Sequence, residues 1–188
     1  KGSISRRISE GRTAEVLRNL CLIVFEETTH AEALIIHMEK LFGVTLMPPK
    51  SIRDQLNMTY FDPNGIRLDI SAAGRGMLQV LLLLSYMYVN PGAVLLLDEP
   101  DAHLEILRQR QIYQLLTETA YQQGAQIIAA THSEVILNEA ADRDILIAFV
   151  GKPHRIDDRQ QRSQVAKALK EIGFEAYYQA EQTGWVLF

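Results

Sequence analysis

The sequence has little of the chemistry that marks secreted, membrane-embedded or metal-binding proteins. Its 188 residues contain one cysteine, Cys21, which excludes both an internal disulfide and a cysteine-based metal site. The five histidines are scattered without metal-ligand spacing. No apolar run approaches the about 20 residues that cross a bilayer. We therefore expect a cytoplasmic protein with no membrane partner.

The sequence also lacks a strong excess of charge of either sign. Lysine and arginine together number 19, against 23 aspartates and glutamates, so the net charge is -4. This balance excludes a general electrostatic attraction to nucleic acid, although the locally basic stretch 151–170 leaves DNA binding open. Hydrophobic residues make up 47% and charged residues 22%, as in ordinary globular domains.

Periodicity and turn residues divide the chain into predicted elements. Apolar residues at helical spacing predict helices over 13–27 and 30–42, the second ending at Gly43. Alternating segments flank Asp62-Pro63-Asn64-Gly65, which predicts a β-hairpin of 55–61 with 66–70. The remaining predicted elements are a glycine-containing loop at 71–76, helices at 77–89, 104–122 and 133–140, and strands at 93–97, 126–130 and 145–150. Alternating strands and helices in this second half predict a parallel α/β sheet.

An acidic pair follows the first of these strands. The apolar run 93–97 leads directly into Asp98-Glu99-Pro100 and is typical of a strand buried on both faces. Ligands of open α/β sheets bind at the carboxyl ends of strands. An aspartate there can hold Mg²⁺ and a neighbouring glutamate can take a proton from water. The alternative is that both acids only complement the dipole of the following helix.

Two further polar segments lie at element boundaries. Ser71-Ala72-Ala73-Gly74-Arg75-Gly76-Met77-Leu78-Gln79 precedes a helix, and its glycines would let the backbone approach a phosphate. An ordinary tight turn is the alternative. Thr131-His132-Ser133 follows the strand 126–130, so His132 could contact a terminal phosphate beside the acidic pair. Here the alternative is that Thr131 or Ser133 caps the next helix.

Taken in this order, the three segments resemble the second half of an ATP-binding-cassette (ABC) ATPase domain. The signature loop, Walker B strand, D-loop and switch histidine would correspond to 71–79, 94–99, 100–105 and 131–133. The resemblance implies that Asp98 binds Mg²⁺, that Glu99 is the catalytic base and that His132 contacts the γ-phosphate. It also implies a set of residues at the nucleotide and the dimer seam, namely Ser71, Gly74, Gly76, Gln79 and Asp101.

The sequences of the motifs are similar to those of OLD-family and related AAA-type, SMC-like ATPases. Ala72 and Ala73 depart from the Leu-Ser-Gly-Gly-Gln signature of transporters. Glu99-Pro100-Asp101-Ala102-His103-Leu104 resembles the Glu-Pro-Glu-x-His-Leu of the OLD-like group. This resemblance implies a DNA-processing or phage-defence role. In OLD-like proteins a nuclease domain that opens with a hydrophobic strand follows, and Trp185–Phe188 would be the start of that strand.

The sequence contains no Gly-x-x-x-x-Gly-Lys-Ser/Thr motif, the Walker A loop that cradles the β- and γ-phosphates. The resemblance therefore implies an α/β, parallel-sheet P-loop ATPase fragment with flanking helices and a hairpin, with Walker A upstream. Residues 1–150 would form the C-terminal part of the ATPase domain and 151–188 an extension. The resemblance implies a head-to-tail homodimer that sandwiches ATP and Mg²⁺, and poor hydrolysis by the fragment alone.

Two other functions remain open at this point. One is a transporter-type cassette, which would couple ATP hydrolysis to membrane partners. The sequence of the signature loop and the Asp101–Leu104 run disfavour this function. A module that kept the fold but lost hydrolysis is disfavoured by the presence of Asp98, Glu99 and His132.

Overall fold

The computed structural model describes residues 13–52, 55–140, 143–148 and 154–155. The chain divides into two compact units, residues 1–131 and 132–188. The predicted domain boundary at residue 150 lies outside the described residues and stays a prediction. So does the predicted strand 185–188. No helix in the described part of the chain is long and apolar enough to cross a membrane.

The described part of the first unit contains four α-helices. They are α1 (Thr13–Glu27), α2 (Ala31–Phe42), α3 (Arg75–Val89) and α4 (Ile106–Gln122). The predictions for α1 and α2 are confirmed, and α2 ends as expected at Gly43, which is left-handed with φ 67°. Helix α3 is the centre of the core, because it buries side chains along its whole length and packs against the other three helices.

Short antiparallel strands lie between α2 and α3. Strands β1 (Thr45–Leu46), β4 (Thr59–Phe61) and β5 (Arg67–Asp69) form one sheet, and β2 (Lys50–Ile52) pairs with β3 (Gln55–Asn57) in another. The predicted hairpin is confirmed for β4 and β5. The prediction is wrong for 55–57, which pairs with 50–52 instead. Met58 separates the two pairings and buries its side chain completely in the core.

The central feature of the first unit is a pair of parallel strands. Strand β6 (Val94–Asp98) pairs with β7 (Gln126–Ala130), in register from Val94 opposite Gln126 to Asp98 opposite Ala130. Helix α4 forms the crossover between them and packs on β7, as parallel strands require. The predicted strand–helix–strand order is confirmed here.

One face of this strand pair is exposed, so the expectation that β6 is buried on both faces is wrong. Leu95 lies in the core with 6% exposure, whereas Val94 and Leu96 are 57% and 77% exposed. On β7, Ile128 is 61% exposed. The physical reason is that α3 and α4 cover only the face that carries Leu95, within the residues that the structure describes.

The second unit contains helix α5 (Glu134–Ala140) and strands β8 (Ile147–Ala148) and β9 (His154–Arg155). The predicted helix is confirmed. The strand predicted at 145–150 is described at two residues, which pair antiparallel with β9. Strand β9 follows β8 within a few residues, and such a short connection suits antiparallel pairing, because a parallel pair needs a long crossover.

Candidate functional site

The carboxyl ends of β6 and β7 lie side by side. Asp98, the last residue of β6, is opposite Ala130, and the Glu99 N–H donates to the Ala130 carbonyl oxygen at 2.8 Å. Both acidic side chains are exposed. The prediction that these two strand ends meet at one sheet edge is thus confirmed. An acidic pair at such an edge can bind a cation or act on a ligand.

The β6–α4 loop, residues 99–105, has an unusual backbone. Glu99 and His103 are the two non-glycine residues with positive φ, at 47° and 67°, among the residues that the structure describes. A left-handed conformation costs an L-residue roughly 1–2 kcal/mol. Two turns shape the loop, since the Ala102 N–H donates to Glu99 O at 2.9 Å and the Leu104 N–H to Asp101 O at 3.1 Å. Such strain is common at functional sites, where the surrounding structure imposes it.

Asp101 is buried within this loop, with 8% exposure. Its Oδ1 accepts a hydrogen bond from the Thr131 hydroxyl at 2.5 Å. A buried carboxylate is costly unless a partner compensates it, so this bond ties the loop to the end of β7. Sequence reasoning considered Thr131 only as a helix cap and missed this role. Ser133 is the residue that caps α5, because its hydroxyl accepts from the Ile136 N–H at 3.3 Å.

The segment before α3 is held from its N-terminal side. Asp69 Oδ1 accepts hydrogen bonds from the Ser71 N–H at 2.9 Å and from the Arg18 guanidinium at 3.0 Å. Burial raises the pKa of Asp69, but the bonds from Ser71 and the Arg18 charge outweigh it, so the pKa lies below 3.8. Asp69 thus links helix α1 to the first residue of the predicted signature loop.

Helix α3 begins one residue after Gly74, which is its N-cap and has no side chain to bond the first turn. Ser71 therefore does not cap α3, and lies instead in a 3₁₀ turn, Ile70–Ala72. A helix N-terminus without a side-chain cap presents N–H groups that can bind an anion. The exposed Arg75 adds a positive charge to this first turn.

Two predicted signature residues contact the β6–α4 loop of the same chain. The Gln79 side-chain amide donates to the Pro100 carbonyl oxygen at 3.0 Å. Gly76 is buried against His103 and Leu104, and a Cβ atom at Gly76 would lie 2.7 Å from an atom of each. Their contact with a nucleotide stays a prediction, but each has an identified role within the chain.

The structure thus brings Gly76, Gln79 and Thr131 together around the loop that carries Glu99 and Asp101. Ser71 contacts Asp69, and the Gly74 carbonyl oxygen accepts a hydrogen bond from the Leu78 N–H. His132 directly follows Thr131 in the chain and is exposed, and it begins the second unit. Its contact with the acidic pair stays a prediction.

The donor groups fit a magnesium ion held mainly by a nucleotide rather than by the protein. Within the described ranges no group of three or more His, Cys, Asp or Glu could hold a metal. Mg²⁺ in nucleotide sites takes one or two carboxylates and fills its other positions with phosphate oxygens and water. The exposed carboxylate of Asp98 at the strand end suits that single-ligand role.

Solved structures of SMC ATPases have a similar fold. One, from a study of ATP-driven dimerization and DNA-stimulated activation of SMC ATPases, aligns with a TM-score of 0.53 at 17% identity, covering 74% of this chain and 92% of that one. The Smc head domain with a coiled coil and joint from Pyrococcus yayanosii gives 0.51 at 19% identity, covering 74% and 29%. An Smc head bound to the C-winged helix domain of ScpA gives 0.51 at 18%, covering 80% and 51%. The chain therefore spans about a third of the Pyrococcus yayanosii protein and about half of the ScpA-bound head.

A family model also matches the sequence, whereas no curated protein does. The family is described as "AAA domain, putative AbiEii toxin, Type IV TA system", and residues 25–138, more than half of the chain, match it. The matched range includes the segment before α3, the acidic pair of β6 and Thr131-His132-Ser133. The chain therefore belongs to this AAA-domain family, with the α/β fold of P-loop ATPases of the ABC and SMC-like type.

Proposed function

We propose that the full-length protein binds and hydrolyses ATP in a head-to-tail homodimer and that this chain supplies its Walker B strand, D-loop, signature loop and switch histidine. The observation that carries the proposal is the parallel pairing of β6 with β7. It aligns Asp98 and Glu99 with the end of the strand that leads into Thr131 and His132.

The proposed roles follow from the chemistry of each side chain. Asp98 would hold Mg²⁺, and the bound ion would neutralise negative charge on the phosphates. Glu99 would accept a proton from the attacking water. His132 would hydrogen bond to the γ-phosphate. The nucleotide bound mainly by the second subunit would face the N-terminus of α3, which has no side-chain cap, together with Ser71, Gly74, Gly76 and Gln79. Asp101 would lie at the seam between the two subunits.

The exposed face of the strand pair supports the proposal that a Walker A segment completes the domain. Val94, Leu96 and Asp98 alternate onto the same face of β6, so the exposed apolar side chains adjoin the proposed Mg²⁺ ligand. An apolar sheet face of this kind is normally covered. We propose that the part of the protein with the Walker A loop covers it. A longer chain that includes this part should melt at a higher temperature than residues 1–188.

We further propose that hydrolysis drives a DNA-processing or phage-defence activity of the OLD-like type in the cytoplasm. Similarity to SMC ATPases, one of them described with DNA-stimulated activation, supports a DNA-linked role. The toxin–antitoxin system in the family description supports a role in defence. Duplex DNA should increase the hydrolysis rate of the full-length protein, and added salt should weaken the effect. Hydrolysis that is insensitive to DNA would contradict the DNA-linked part of the proposal.

The direct test of the ATPase proposal is Glu99→Gln in the full-length protein. This substitution keeps the size of the side chain and removes the base, so hydrolysis should fall by roughly 10²- to 10⁴-fold while ATP binding persists. Glu118→Gln is the matched control, because Glu118 is an exposed residue on α4. It should hydrolyse ATP at the wild-type rate. Unchanged steady-state hydrolysis in Glu99→Gln would overturn the assignment.

A further inference from the structure

We infer that Gln79 and Thr131 are positioning residues for Glu99, which they hold in its left-handed conformation by fixing the two residues that follow it. The inference rests on the proposed function, because it takes Glu99 to be the group that acts on water. It gives both side chains a role within their own chain, separate from any contact with a nucleotide.

Three consecutive residues of the β6–α4 loop are each held by a hydrogen bond to a group outside the loop. Glu99 is held through its N–H, which donates to Ala130 O on β7 at 2.8 Å. Pro100 is held through its carbonyl, and Asp101 through its carboxylate. A strained residue persists only where its surroundings over-determine it, and here the bonds come from α3 on one side and from the end of β7 on the other.

Gln79 acts on the peptide that follows Pro100. Proline has a fixed φ and no N–H, so the carbonyl is its one backbone group that can anchor it. The Gln79 amide donates to that carbonyl at 3.0 Å from the second turn of α3. Pro100 is itself buried. Together these contacts limit the backbone rotations available immediately after Glu99.

Thr131 acts on Asp101, the residue that follows Pro100. Asp101 is 8% exposed as a residue, and its carboxylate accepts the Thr131 hydroxyl hydrogen bond at 2.5 Å. Without this donor the carboxylate would move toward water, because a buried charge that loses a partner is costly. Since Ala102 N–H donates to Glu99 O, a displacement of Asp101 would be transmitted to the turn that begins at Glu99.

The expected consequence is a defect in turnover rather than in substrate binding. Glu99 would still be present, but its carboxylate would lie in the wrong place with respect to the attacking water. Misplacement of a catalytic group by about 1 Å can lower the rate by about 100-fold. In the proposed site most of the binding comes from the Walker A segment and the Mg²⁺ ligand, so KM for ATP should change little.

The test uses matched variants of the full-length protein. Thr131→Val keeps the shape of the side chain and removes the hydroxyl, and Thr131→Ser restores the hydroxyl. Gln79→Met keeps the length of the side chain and removes the amide. Thr131→Val and Gln79→Met should each lower kcat by roughly 10- to 100-fold with KM for ATP unchanged, and Thr131→Ser should recover most of the loss. Melting temperatures would identify any variant that fails to fold.

A double-mutant cycle shows whether the effect passes through Glu99. In a Glu99→Gln background, Thr131→Val and Gln79→Met should cause no further loss of the residual rate, because the group that they position is already gone. A similar loss in both backgrounds would overturn the inference. So would a raised KM with unchanged kcat in Gln79→Met, which would indicate direct nucleotide contact.

The inference and the proposed function can fail separately. If Glu99→Gln stalls hydrolysis while Thr131→Val and Gln79→Met turn over at the wild-type rate, the inference is wrong and the proposed function stands. If Glu99→Gln itself hydrolyses ATP normally, the proposed function is wrong and the positioning role falls with it.

Discussion

Gly76 packs so closely against His103 that a methyl group on its Cα would lie 2.7 Å from the His103 carbonyl oxygen. This contact joins the first turn of α3 to the β6–α4 loop. The neighbouring oxygen belongs to the backbone of a residue whose φ is 67°, and that backbone is already strained. The glycine is therefore needed here for close approach of two backbone segments, because its own backbone is helical.

We predict that Gly76→Ala destabilises the protein. A helical position gains up to about 1 kcal/mol when alanine replaces glycine. Overpacking costs roughly 1–3 kcal/mol, and the larger value applies where the obstacle is backbone. The clash should outweigh the gain and lower the free energy of unfolding, as measured by urea denaturation. A Gly76→Ala protein that is more stable than wild type would contradict this close contact.

Gly74→Ala should cause no such clash and serves as the control for stability. No atom lies within 4 Å of a Cβ placed at Gly74, whose φ is -62°. Its urea denaturation midpoint should stay close to that of wild type, because the poorer N-cap preference of alanine is offset by the lower conformational entropy of its unfolded chain. If ATP hydrolysis by the full-length Gly74→Ala protein nevertheless falls, something outside this chain approaches Gly74, as the proposed signature role requires. Wild-type stability together with wild-type hydrolysis would contradict that role.

Much of this architecture could be predicted from local patterns. Helix α1 and strand β7 follow from apolar periodicity, and Gly43 ends α2 because glycine adopts the left-handed conformation without a Cβ penalty. The meeting of Asp98 with the end of β7 follows from the rule that parallel strands end at the same sheet edge. These features depend on neighbours in sequence or on one general rule of topology.

The bonds around the β6–α4 loop could not be predicted in this way. The Thr131–Asp101 bond joins residues 30 positions apart, and the Gln79–Pro100 bond joins residues 21 apart. Each depends on a rotamer and on the path of a strained loop, for which a single sequence carries no periodic signal. The exposed face of β6 was also missed, because a continuous apolar run does not reveal which face its neighbours cover.

Cys21 provides a direct test of the packing of α1 on α3. It is fully buried, and its Sγ lies 3.5 Å from the Ser85 hydroxyl oxygen. Burial raises the pKa of the Cys21 thiol to about 11, although the hydrogen bond with Ser85 opposes the shift. Since only a thiolate reacts readily, native protein should resist alkylation by iodoacetamide at mildly alkaline pH.

Because Cys21 is the sole cysteine, mass spectrometry of the intact protein reads its alkylation directly. Denatured protein should be alkylated completely under the same conditions. A Tyr121→Cys protein in a Cys21→Ala background is the exposed control, since Tyr121 is 88% exposed. Rapid alkylation of native Cys21 would mean that α1 does not cover α3 as described.

The ion pair of Arg18 with Asp69 should stabilise the fold in a pH-dependent way. The folded protein holds the pKa of Asp69 below 3.8, so the ionised form is favoured by folding. The stability that this provides is present above the pKa of the unfolded chain and is lost as the pH falls through the lower folded value. Because the Asp69 side chain is 41% exposed, solvent screening limits the pair to about 1 kcal/mol or less.

The matched substitutions are Asp69→Asn, which keeps an oxygen to accept the Ser71 N–H, and Arg18→Met, which keeps most of the buried stem. At neutral pH each should lower the melting temperature, and the double variant should lose less than the sum of the two, because the shared interaction can be removed only once. As the pH falls below 3.8, the difference between wild type and Asp69→Asn should shrink, since protonation removes the same charge. A difference that stays constant across this range would show that the charge of Asp69 does not stabilise the folded protein.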